Sequence, residues 1–369
     1  MSEHSTRKPL LLLHVFSTFG VGGPAVRMAG LINYFGQSFR HAIISLDGAN
    51  ACRSRLSPEV DVEFPAVEAS GRNPAAATLR ALRGLRRIRP DILLTYNWGA
   101  MDWAFAHSLH PVCRHLHFED GFGPQEADRQ LRRRVLFRRI GLRKTSRVVV
   151  PSTTLQSIAI EQWRLAPGRV ALIPNGVACE QYAVLPFERP RAPDGNLVIG
   201  TVAPLRAEKN LGLLIEVFAE LSRRHRVSLM IAGDGPERHK LETLARQLGV
   251  TGRVHFLGHV EQVADVLPMF DVYALCSLTE QLPISLLEAM AAAKAVAALD
   301  VGDVMRALAR ENCGYVAPKG DRAGFEKALE SLIVDRDLRL RLAAANRRKA
   351  FEEYAYGRMA AAYEALLAA

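Results

Sequence analysis

Short apolar runs alternate with helix-length segments along the first half of the chain. The apolar runs predict β-strands, because they are bounded by turn residues and are rich in branched and aromatic side chains. These predicted strands are Leu10–Phe16, His41–Leu46, Asp61–Val67, Asp91–Tyr96, Val112–Phe118, Arg147–Pro151 and Val170–Pro174. The predicted helices between them are Ala25–Phe35, Ala75–Ile88, Asp128–Leu142 and Thr154–Trp163. Continuous apolar strands joined by helices indicate a parallel sheet that is covered on both faces.

The alternation stops at residues 178–196, where three prolines and mixed charge show no period, and we interpret this stretch as an interdomain linker. It then restarts, with predicted strands and helices at Leu197–Val202, Leu211–Leu221, Val227–Ala232, His239–Gln247, Val254–Leu257, Val272–Cys276 and Ile284–Ala293. The pattern predicts an α/β protein with two doubly wound domains, residues 1–177 and 197–350. A C-terminal helix at 351–369 is expected to pack back toward the first domain. Ligands of such sheets bind at the carboxyl ends of the strands.

Charge is divided unevenly between the two predicted domains. The 369 residues carry a formal net charge of +10, and residues 1–180, with 24 basic and 14 acidic side chains, carry all of it. A basic domain is expected to meet an anionic partner such as a lipid surface, a nucleic acid or a phosphorylated substrate. The five cysteines show no C-x-x-C spacing, which indicates neither a zinc site nor a disulfide framework and favours a reduced, cytosolic compartment. We expect neither a signal peptide nor a transmembrane helix.

Two loops of the second predicted domain join a strand to a helix and carry residues suited to phosphate. The first places Arg206 and Lys209 three residues apart, where two cations would clamp a diphosphate. A solvated helix start would have the same sequence. In the second, Gly233 and Gly235 allow the backbone to approach a ligand closely, and Pro236 suits a first helical turn. A tight turn without a ligand would look the same.

A third loop precedes a helix rich in small residues and has the features of an anion site. Pro283 suits a first helical turn, which makes Leu282 the N-cap residue, and leucine is a poor one. The N–H groups of Ile284 and Ser285 then have no side-chain acceptor. Unfilled donors at the positive end of a helix make a site that a phosphate would fill.

Two carboxylates, Glu280 and Glu288, lie on either side of that predicted anion site. They cannot hold a phosphate themselves, but they can accept hydrogen bonds from the hydroxyls of a sugar and a ribose. The alternative is a charged cap and a surface glutamate. The coincidence of spacing, proline and small-residue helix favours a ligand site.

Glu280 and Glu288, with seven residues between them in TEQLPISLLEAMA, resemble the E-x7-E motif of retaining glycosyltransferases of family four, which have the two-Rossmann-domain GT-B fold. An R-x-E-K-N loop, a GDGPE loop and a VxFxG strand follow one another as they do in that family. In the first half, GVGGP matches the family's N-terminal glycine loop, and IPNGV matches its strand before the linker. The resemblance spans nearly the whole chain and implies two Rossmann-like domains facing across a cleft.

The resemblance implies a role for each matching residue. Arg206 and Lys209 would neutralise the diphosphate of a nucleotide-sugar donor. Glu288 would accept hydrogen bonds from the ribose, and Glu280 would hold hydroxyls of the transferred sugar. The other residues that it places against the donor and the reaction centre are Gly22, Gly23, Gly233, Gly235, Pro236, Leu282, Pro283, Ile284 and Ser285.

The family also has a histidine at the end of the fifth strand, and it aligns here with His117 in preference to His115. Outside this context, a lone histidine is more often structural. Three departures from the family pattern stand out. Pro204 replaces an arginine of many relatives, Gln281 replaces the more usual glycine, and the sequence AAKA at residues 292–295 replaces A-A-G-x-P.

The implied reaction is transfer of a hexose from a UDP- or GDP-sugar to an acceptor hydroxyl, with retention of configuration. No D-x-D motif lies in a strand-end loop, and Glu119–Asp120 is too isolated to predict a metal site. The resemblance also implies metal independence and no cofactor, with Arg206, Lys209 and a helix end in the role of Mg²⁺. On a front-face route the departing phosphate takes the acceptor's proton, so that a strong protein base is not required.

Arginines interleaved with apolar residues at positions 80–89 and 129–144 suit an anionic membrane surface. A well-solvated basic face is the alternative. With the resemblance, this pattern predicts a peripheral protein on the inner face of the cytoplasmic membrane, acting on a lipid-linked or saccharide acceptor in cell-surface polysaccharide or glycolipid synthesis. The predicted membrane residues are Arg83, Arg86, Arg87, Arg132, Arg133, Arg138 and Arg139.

Two other functions remain open from the sequence. A nucleic-acid-binding protein would suit the sequence pI of about 9.6. Against it, no zinc-finger, RNA-recognition or helix-turn-helix signature is present, and the carboxylate pair would have no purpose, so nucleic acid is not the expected partner. The second is a nucleotide-sugar epimerase of the same two-domain fold, although such enzymes do not use this E-x7-E arrangement.

Overall fold

The computed structural model describes residues 8–66, 73–122, 126, 129–182 and 195–369. Within these ranges the chain forms two compact units, each built on one parallel sheet. The first unit holds the described residues up to Ile173 together with Tyr363–Ala369, and the second runs from Pro174 to Ala362. None of the helices in the described ranges combines the length and the apolar character needed to cross a membrane.

The first unit is a seven-stranded sheet with helices in its crossover connections. Its strands are β1 (Leu11–Phe16), β2 (Arg40–Ser45), β3 (Val62–Glu63), β4 (Ile92–Tyr96), β5 (Arg114–Phe118), β6 (Arg147–Val150) and β7 (Val170–Leu172). Its helices are α1 (Gly23–Phe35), α2 (Pro74–Ile88), α3 (Met101–Leu109), α4 (Arg132–Gly141) and α5 (Thr153–Glu161). The strand order is β3-β2-β1-β4-β5-β6-β7, and every pair is parallel. The order reverses between β1 and β4, which is where such sheets bind ligands.

The second unit is a six-stranded parallel sheet. Its strands are β8 (Leu197–Val202), β9 (Val227–Ala232), β10 (Val254–Gly258), β11 (Val272–Leu275), β12 (Ala295–Asp300) and β13 (Val316–Pro318), in the order β10-β9-β8-β11-β12-β13. Its helices are α6 (Leu211–Arg224), α7 (Arg238–Gln247), α8 (Val263–Val266), α9 (Ile284–Ala291), α10 (Val304–Ala307), α11 (Arg322–Val334), α12 (Arg336–Glu353) and α13 (Tyr356–Ala368), whose last residues belong to the first unit.

Both faces of the second sheet are buried, which explains why its strands read as continuous apolar runs. Val272 and Ala274 of β11 pack in one core cluster, whereas Tyr273 and Leu275 pack in the other. This division follows from the two-residue period of a strand. The prediction of an α/β protein with two parallel, doubly wound sheets is confirmed.

Several predicted boundaries are wrong. The strand predicted over Asp61–Val67 is reduced to β3, Val62–Glu63, and Val67 lies outside the described residues. The helix α3 is missing from the prediction because its sequence, MDWAFAHSL, is apolar around most of its circumference and has no amphipathic period. The helix α9 ends at Ala291 and not at Ala293. The helix predicted from Asp128 begins at Arg132, and Asp128 lies outside the described residues.

The predicted linker is only partly described. Cys179–Tyr182 form a 3₁₀ turn, and residues 183–194 lie outside the described ranges. The helix predicted at 351–369 corresponds to the end of α12 and to α13, which begins at Tyr356. The two compact units meet in sequence between Ile173 and Pro174. The domain boundaries given from the sequence, 1–177 and 197–350, stay a prediction.

Candidate active site

Three loops come together at the carboxyl edge of the second sheet, after β8, β9 and β11. The Leu205 N–H donates to the carbonyl of Asp234, at 3.0 Å, which links the first two loops. The Leu278 N–H donates to the carbonyl of Glu208, at 2.8 Å, which links the first to the third. Because β8 lies between β9 and β11, adjacent strands deliver loops that are remote in sequence to one place.

A lysine and a glutamate from two of these loops form an ion pair. The Nζ of Lys209 lies 2.5 Å from Oε1 of Glu280, and the Ser277 hydroxyl donates to the same oxygen at 2.7 Å. The side chains of Lys209 and Glu280 are 19% and 12% exposed. Arg206, by contrast, is exposed and makes no ion pair within the described ranges. The pair is thus held in place, whereas the Arg206 guanidinium is available to an anion.

The backbone of the first loop lies so close to the second loop that the second loop needs its two glycines. Gly233 has φ +142°, and a Cβ there would lie 1.9 Å from the carbonyl oxygen of Ala203. A Cβ on Gly235 would lie 2.6 Å from the carbonyl oxygen of Leu205. Close backbone approach between two loops therefore requires both glycines, with or without a ligand. Pro236 lies in a turn before α7 and not in the first helical turn, as the sequence suggested.

The helix α9 begins at Ile284, as predicted, but its predicted N-cap is wrong by one residue. Pro283 is itself the N-cap, with φ −69° and ψ 125°, and the helix begins at Ile284. No side chain caps this end, and its first turn holds no acidic residue. The Leu286 and Leu287 N–H groups point to the Pro283 carbonyl, at 3.1 and 3.4 Å. The first N–H groups of the helix, at Ile284 and Ser285, are thus retained as donors for an anion.

Backbone contacts fix the loop between Glu280 and Pro283 from outside. The Asn175 side-chain amide, buried, donates to the carbonyl of Leu282 at 2.8 Å, and the Asp303 N–H donates to that of Gln281 at 2.8 Å. Gly302 has φ +57°, and a Cβ on it would lie 2.3 Å from the carbonyl oxygen of Glu280. The sequence does not mark Asn175 or Gly302 as site residues. The one sequence feature that points to either is the IPNGV motif, which contains Asn175.

Glu288 is half-buried in a polar pocket that the sequence does not reveal. Burial raises the pKa of its carboxyl to about 7, and a hydrogen bond from the Tyr182 hydroxyl opposes this shift. Burial raises the pKa of Tyr182 as well, and the charge of Glu288 adds to the effect. The buried Tyr273 hydroxyl bonds to the Ser285 side chain, and burial, more than the Glu288 and Glu280 charges, raises its pKa. Nothing in the linear pattern marks Tyr182 or Tyr273.

The departure from A-A-G-x-P after Glu288 has a structural consequence. Ala293 adopts φ +54°, the left-handed region in which glycine is preferred. Lys294 is 1% exposed, and its Nζ donates to the carbonyl of Phe270 at 2.7 Å. The chain therefore makes the turn without glycine and buries a lysine against the backbone just before β11.

The predicted residues of the first unit lie in the loop after β1 and at the end of β5. Gly22 is the N-cap of α1 in extended backbone, and both Gly22 and Gly23 are exposed. A Cβ on either would meet nothing within 4 Å, so the described residues give no steric reason for glycine here. His117 is fully buried, with Nδ1 2.8 Å from Oγ1 of Thr95 and Nε2 3.8 Å from Oε2 of Glu119.

One residue assigned to the membrane face is misplaced. Arg138 is fully buried, where its Nε donates to Glu119 at 3.1 Å and its guanidinium lies over the rings of Trp98, Phe122 and Trp163. The error arises because helix periodicity turns one arginine of the RRRVLFRRI run inward, to a buried carboxylate that the sequence does not connect with it. The remaining residues of that set are exposed: Arg83, Arg86, Arg87, Arg132, Arg133 and Arg139.

Sequence comparison assigns a family to both halves of the chain. Residues 21–181 match the family described as glycosyltransferase family 4, and residues 186–349 match the one described as glycosyl transferases group 1. The chain belongs to glycosyltransferase family four. The resemblance to this family, drawn from the E-x7-E motif, is thereby confirmed, and retention of configuration stays a prediction.

Curated relatives match part of this chain. It is 32% identical over 160 residues to the lipopolysaccharide core biosynthesis glycosyltransferase LpsE of Rhizobium meliloti, covering 43% of this chain and 46% of that protein. It is 31% identical over 191 residues to the gpi3 subunit of the phosphatidylinositol N-acetylglucosaminyltransferase of Schizosaccharomyces pombe. That match covers 51% of this chain and 41% of the gpi3 subunit. The matched segment thus spans less than half the length of these relatives.

Solved structures share the fold of this protein along nearly its whole length. HepE of Anabaena, solved with UDP and glucose, superimposes with a TM-score of 0.81 at 16% identity, over 98% of this chain and 100% of that one. The superposition, at this low identity, establishes the GT-B fold alone. In the part of the chain that the structure describes, no group of three or more His, Cys, Asp or Glu side chains is placed to hold a metal ion. Metal independence stays a prediction.

Proposed function

We propose that this protein is a retaining glycosyltransferase that moves a hexose from a nucleoside diphosphate sugar to an acceptor hydroxyl. The observation that carries the proposal is the group of chemically matched residues at one sheet edge. The exposed Arg206, the uncapped start of α9 and the Lys209–Glu280 pair suit a diphosphate and a sugar. Glu288, in its tyrosine-lined pocket, suits a ribose.

Each group would have a distinct task in the transfer. Arg206 and the first N–H groups of α9 would bind the diphosphate and stabilise the charge that develops as the glycosidic bond breaks. An ammonium has three donors, so Lys209 can bind Glu280 and still reach a phosphate oxygen. Glu280 would accept from hydroxyls of the sugar, in a position fixed by Lys209 and Ser277.

The configuration of the sugar is retained if the acceptor attacks the same face of the sugar ring from which the phosphate departs. The departing phosphate would then take the acceptor's proton, and the transfer balances without a protein base or a metal. His117, Gly22 and Gly23 of the first unit are proposed contacts of the transferred sugar, as the family resemblance implies. The alternatives considered from the sequence, an epimerase and a nucleic-acid-binding protein, lose support because both matched families are glycosyl transferases.

A panel of nucleotide sugars tests the donor. HepE was solved with UDP and glucose, so UDP-glucose is tested first, followed by other UDP-, GDP- and ADP-sugars. We expect one sugar nucleotide to raise the melting temperature of the wild type and to have little effect on Glu288→Gln. The anomeric configuration of the product, read by NMR, decides retention against inversion. A protein that no nucleotide sugar stabilises would contradict the proposal.

An anionic membrane is the proposed location of the acceptor. On α4, the exposed Arg132 is followed at four-residue intervals by Leu136 and Ile140, which are 56% and 40% exposed. Residues four apart share one face of a helix, and the exposed Arg133 and Arg139 flank it. A surface of arginines around protruding aliphatic side chains suits an anionic bilayer, where each cation contributes about 1 kcal/mol. It supports a lipid-linked acceptor at the inner leaflet.

Vesicle flotation at physiological salt tests this surface. The wild type should float with vesicles containing phosphatidylglycerol and not with pure phosphatidylcholine. Arg132→Glu with Arg133→Glu should abolish flotation. Arg223→Glu, which changes an exposed arginine of the second unit, is the matched control. Flotation that the double variant leaves unchanged would rule out α4 as the membrane contact.

A further inference from the structure

A continuous row of polar contacts runs through the interior of the first unit. The Thr145 hydroxyl oxygen lies 2.9 Å from Nδ1 of His115, and Nε2 of His115 lies 2.8 Å from Oγ1 of Thr95. The same Thr95 oxygen lies 2.8 Å from Nδ1 of His117. Beyond His117, Nε2 lies 3.8 Å from Oε2 of Glu119. All five side chains are almost completely buried.

The positions of the protons along this row are coupled. The hydroxyl of Thr95 carries one proton, so it can donate to one of the two imidazoles and must accept from the other. If His115 is neutral, as the lowering of its pKa by burial favours, it too donates at one nitrogen and accepts at the other. With His117 taken as neutral as well, two arrangements of the row satisfy every contact. In one, His117 carries its proton on Nε2, and in the other on Nδ1.

Glu119 distinguishes these two arrangements. Its Oε2 accepts a hydrogen bond from Nε of Arg138, which favours the ionised carboxylate. A carboxylate at 3.8 Å attracts an N–H and repels a nitrogen lone pair. The arrangement with the proton on Nε2 of His117 is therefore favoured. That nitrogen is buried and has no hydrogen-bond partner among the described residues.

We propose that the row holds His117 as its Nε2–H tautomer, so that the ring is a hydrogen-bond donor. Thr95, His115 and Glu119 are then positioning residues that act through His117. The inference rests on the proposed function in one respect, because its kinetic test needs a nucleotide sugar that the protein turns over. The tautomer itself is a property of the unliganded protein and can be measured without any substrate.

Long-range ¹⁵N–¹H correlation spectra of protein labelled at histidine report which ring nitrogen carries the proton. His117→Gln identifies the His117 resonances by their loss. In the wild type we expect a protonated Nε2 and an unprotonated Nδ1. Thr95→Val removes the hydroxyl that donates to Nδ1, so the Nδ1 signal should move toward that of a nitrogen without a hydrogen bond while Nε2, beside Glu119, keeps its proton. Thr95→Ser keeps the hydroxyl and should restore the wild-type signature. Thr201→Val, a buried threonine of β8, is the matched control and should leave His117 unchanged.

Kinetics then connect the position of the ring with transfer. Thr95→Val removes the hydrogen bond that positions His117, and one well-placed neutral hydrogen bond corresponds to about tenfold in affinity, so the donor KM should rise by about tenfold, with a smaller effect on kcat. Thr95→Ser should recover most of the loss. Protonation of His117 at Nδ1 in the wild type, or a Thr95→Val spectrum unchanged at His117, would overturn the proposal. If no nucleotide sugar is turned over, the proposed function fails on its own and the spectra still decide the tautomer.

Discussion

The Lys209 ammonium and the Glu280 carboxylate, from loops after different strands, lie 2.5 Å apart at the carboxyl edge of the second sheet. Neither charge has more than a fifth of its side chain in contact with solvent. Removing one partner leaves the other charge poorly solvated, whereas removing both does not. The pair therefore links the stability of the two loops to the chemistry proposed for them.

Lys209→Met should lower kcat/KM by about 100-fold or more, because a cation aimed at the developing phosphate charge is lost. It should also reduce the free energy of unfolding by about 1–2 kcal/mol, and adding Glu280→Gln should restore stability without restoring activity. Transfer assays and urea unfolding measure the two effects. Lys240→Met, at an exposed surface pair with Glu237, is the control. Near-normal turnover in Lys209→Met would remove this residue from the mechanism.

Glu288 should make the protein less stable as the pH rises. Its pKa is about 7 in the folded chain against a reference value of 4.5, so between these values the folded state binds more protons than the unfolded state. The stability that this protonation contributes is full below pH 4.5 and is lost as the pH rises through 7. Glu288→Gln should therefore be about 1–3 kcal/mol more stable than the wild type at pH 8 and equal to it at pH 4.

The same carboxylate predicts a pH dependence of donor binding. Only the ionised form accepts from both ribose hydroxyls, so the donor Kd of the wild type should fall as the pH rises through about 7, while Glu288→Gln binds weakly at every pH. Calorimetric titration at several pH values measures this. A wild-type Kd that does not change between pH 5 and pH 8 would contradict the assignment.

Ala293→Gly should stabilise the second unit. At φ +54°, alanine is strained by about 1–2 kcal/mol relative to glycine. Glycine loses more conformational entropy on folding, which offsets about 0.5–1 kcal/mol of this difference. A net gain of about 0.5–1 kcal/mol is expected in chemical denaturation. Ala292→Gly, at φ −76°, should instead destabilise. If Ala293→Gly were the less stable of the two, the strain assigned to this turn would be wrong.

A buried histidine pair should make the first unit sensitive to acid. His14 Nε2 lies 3.0 Å from His41 Nδ1, and burial lowers the pKa of both, that of His41 to about 4. In the unfolded chain each histidine takes up a proton near pH 6.5, which the buried ring in the folded chain does not. The free energy of unfolding therefore falls as the pH drops below 6.5, by about 1.4 kcal/mol per pH unit for each histidine. His41→Asn should flatten the profile in urea unfolding between pH 7 and pH 5. The exposed His110→Asn should not.

Neighbouring arginines of α4 should behave differently. Arg138→Met leaves Glu119 buried without its charge partner and should cost about 3–5 kcal/mol. Arg139→Met loses hydrogen bonds to the Gln162 carbonyl at the surface and should cost about 1 kcal/mol or less. Unfolding by urea compares the two. Only Arg139→Met should weaken binding to anionic vesicles, and equal stabilities would refute the burial of Arg138.

The sequence predicts what depends on local pattern. The spacing of apolar residues predicts the strands and helices of both sheets, and the spacing of Glu280 and Glu288 indicates the family. Contacts between distant segments are beyond such patterns. Tyr182 meets Glu288, and Asn175 meets the carbonyl of Leu282, only after the chain has folded.

Local pattern also misassigns residues whose partners are remote. Gly233 and Gly235 suggest a ligand, but the backbone of the neighbouring loop is sufficient to require them. Arg138 lies in a run of exposed arginines, and only the position of Glu119 in the fold explains its burial. Because such a residue resembles its neighbours in the sequence, the sequence alone cannot show that it is buried.

Gly302 holds the backbone at Glu280 and Gln281 from a loop that has no proposed contact with the donor. The backbone of the proposed sugar-binding loop is thus held through its carbonyl oxygens by a neighbouring loop. Any side chain added at position 302 would displace these carbonyls and, with them, Glu280. A mutant library selected for transfer should therefore accept only glycine at position 302, so that selection extends to a residue outside the donor site.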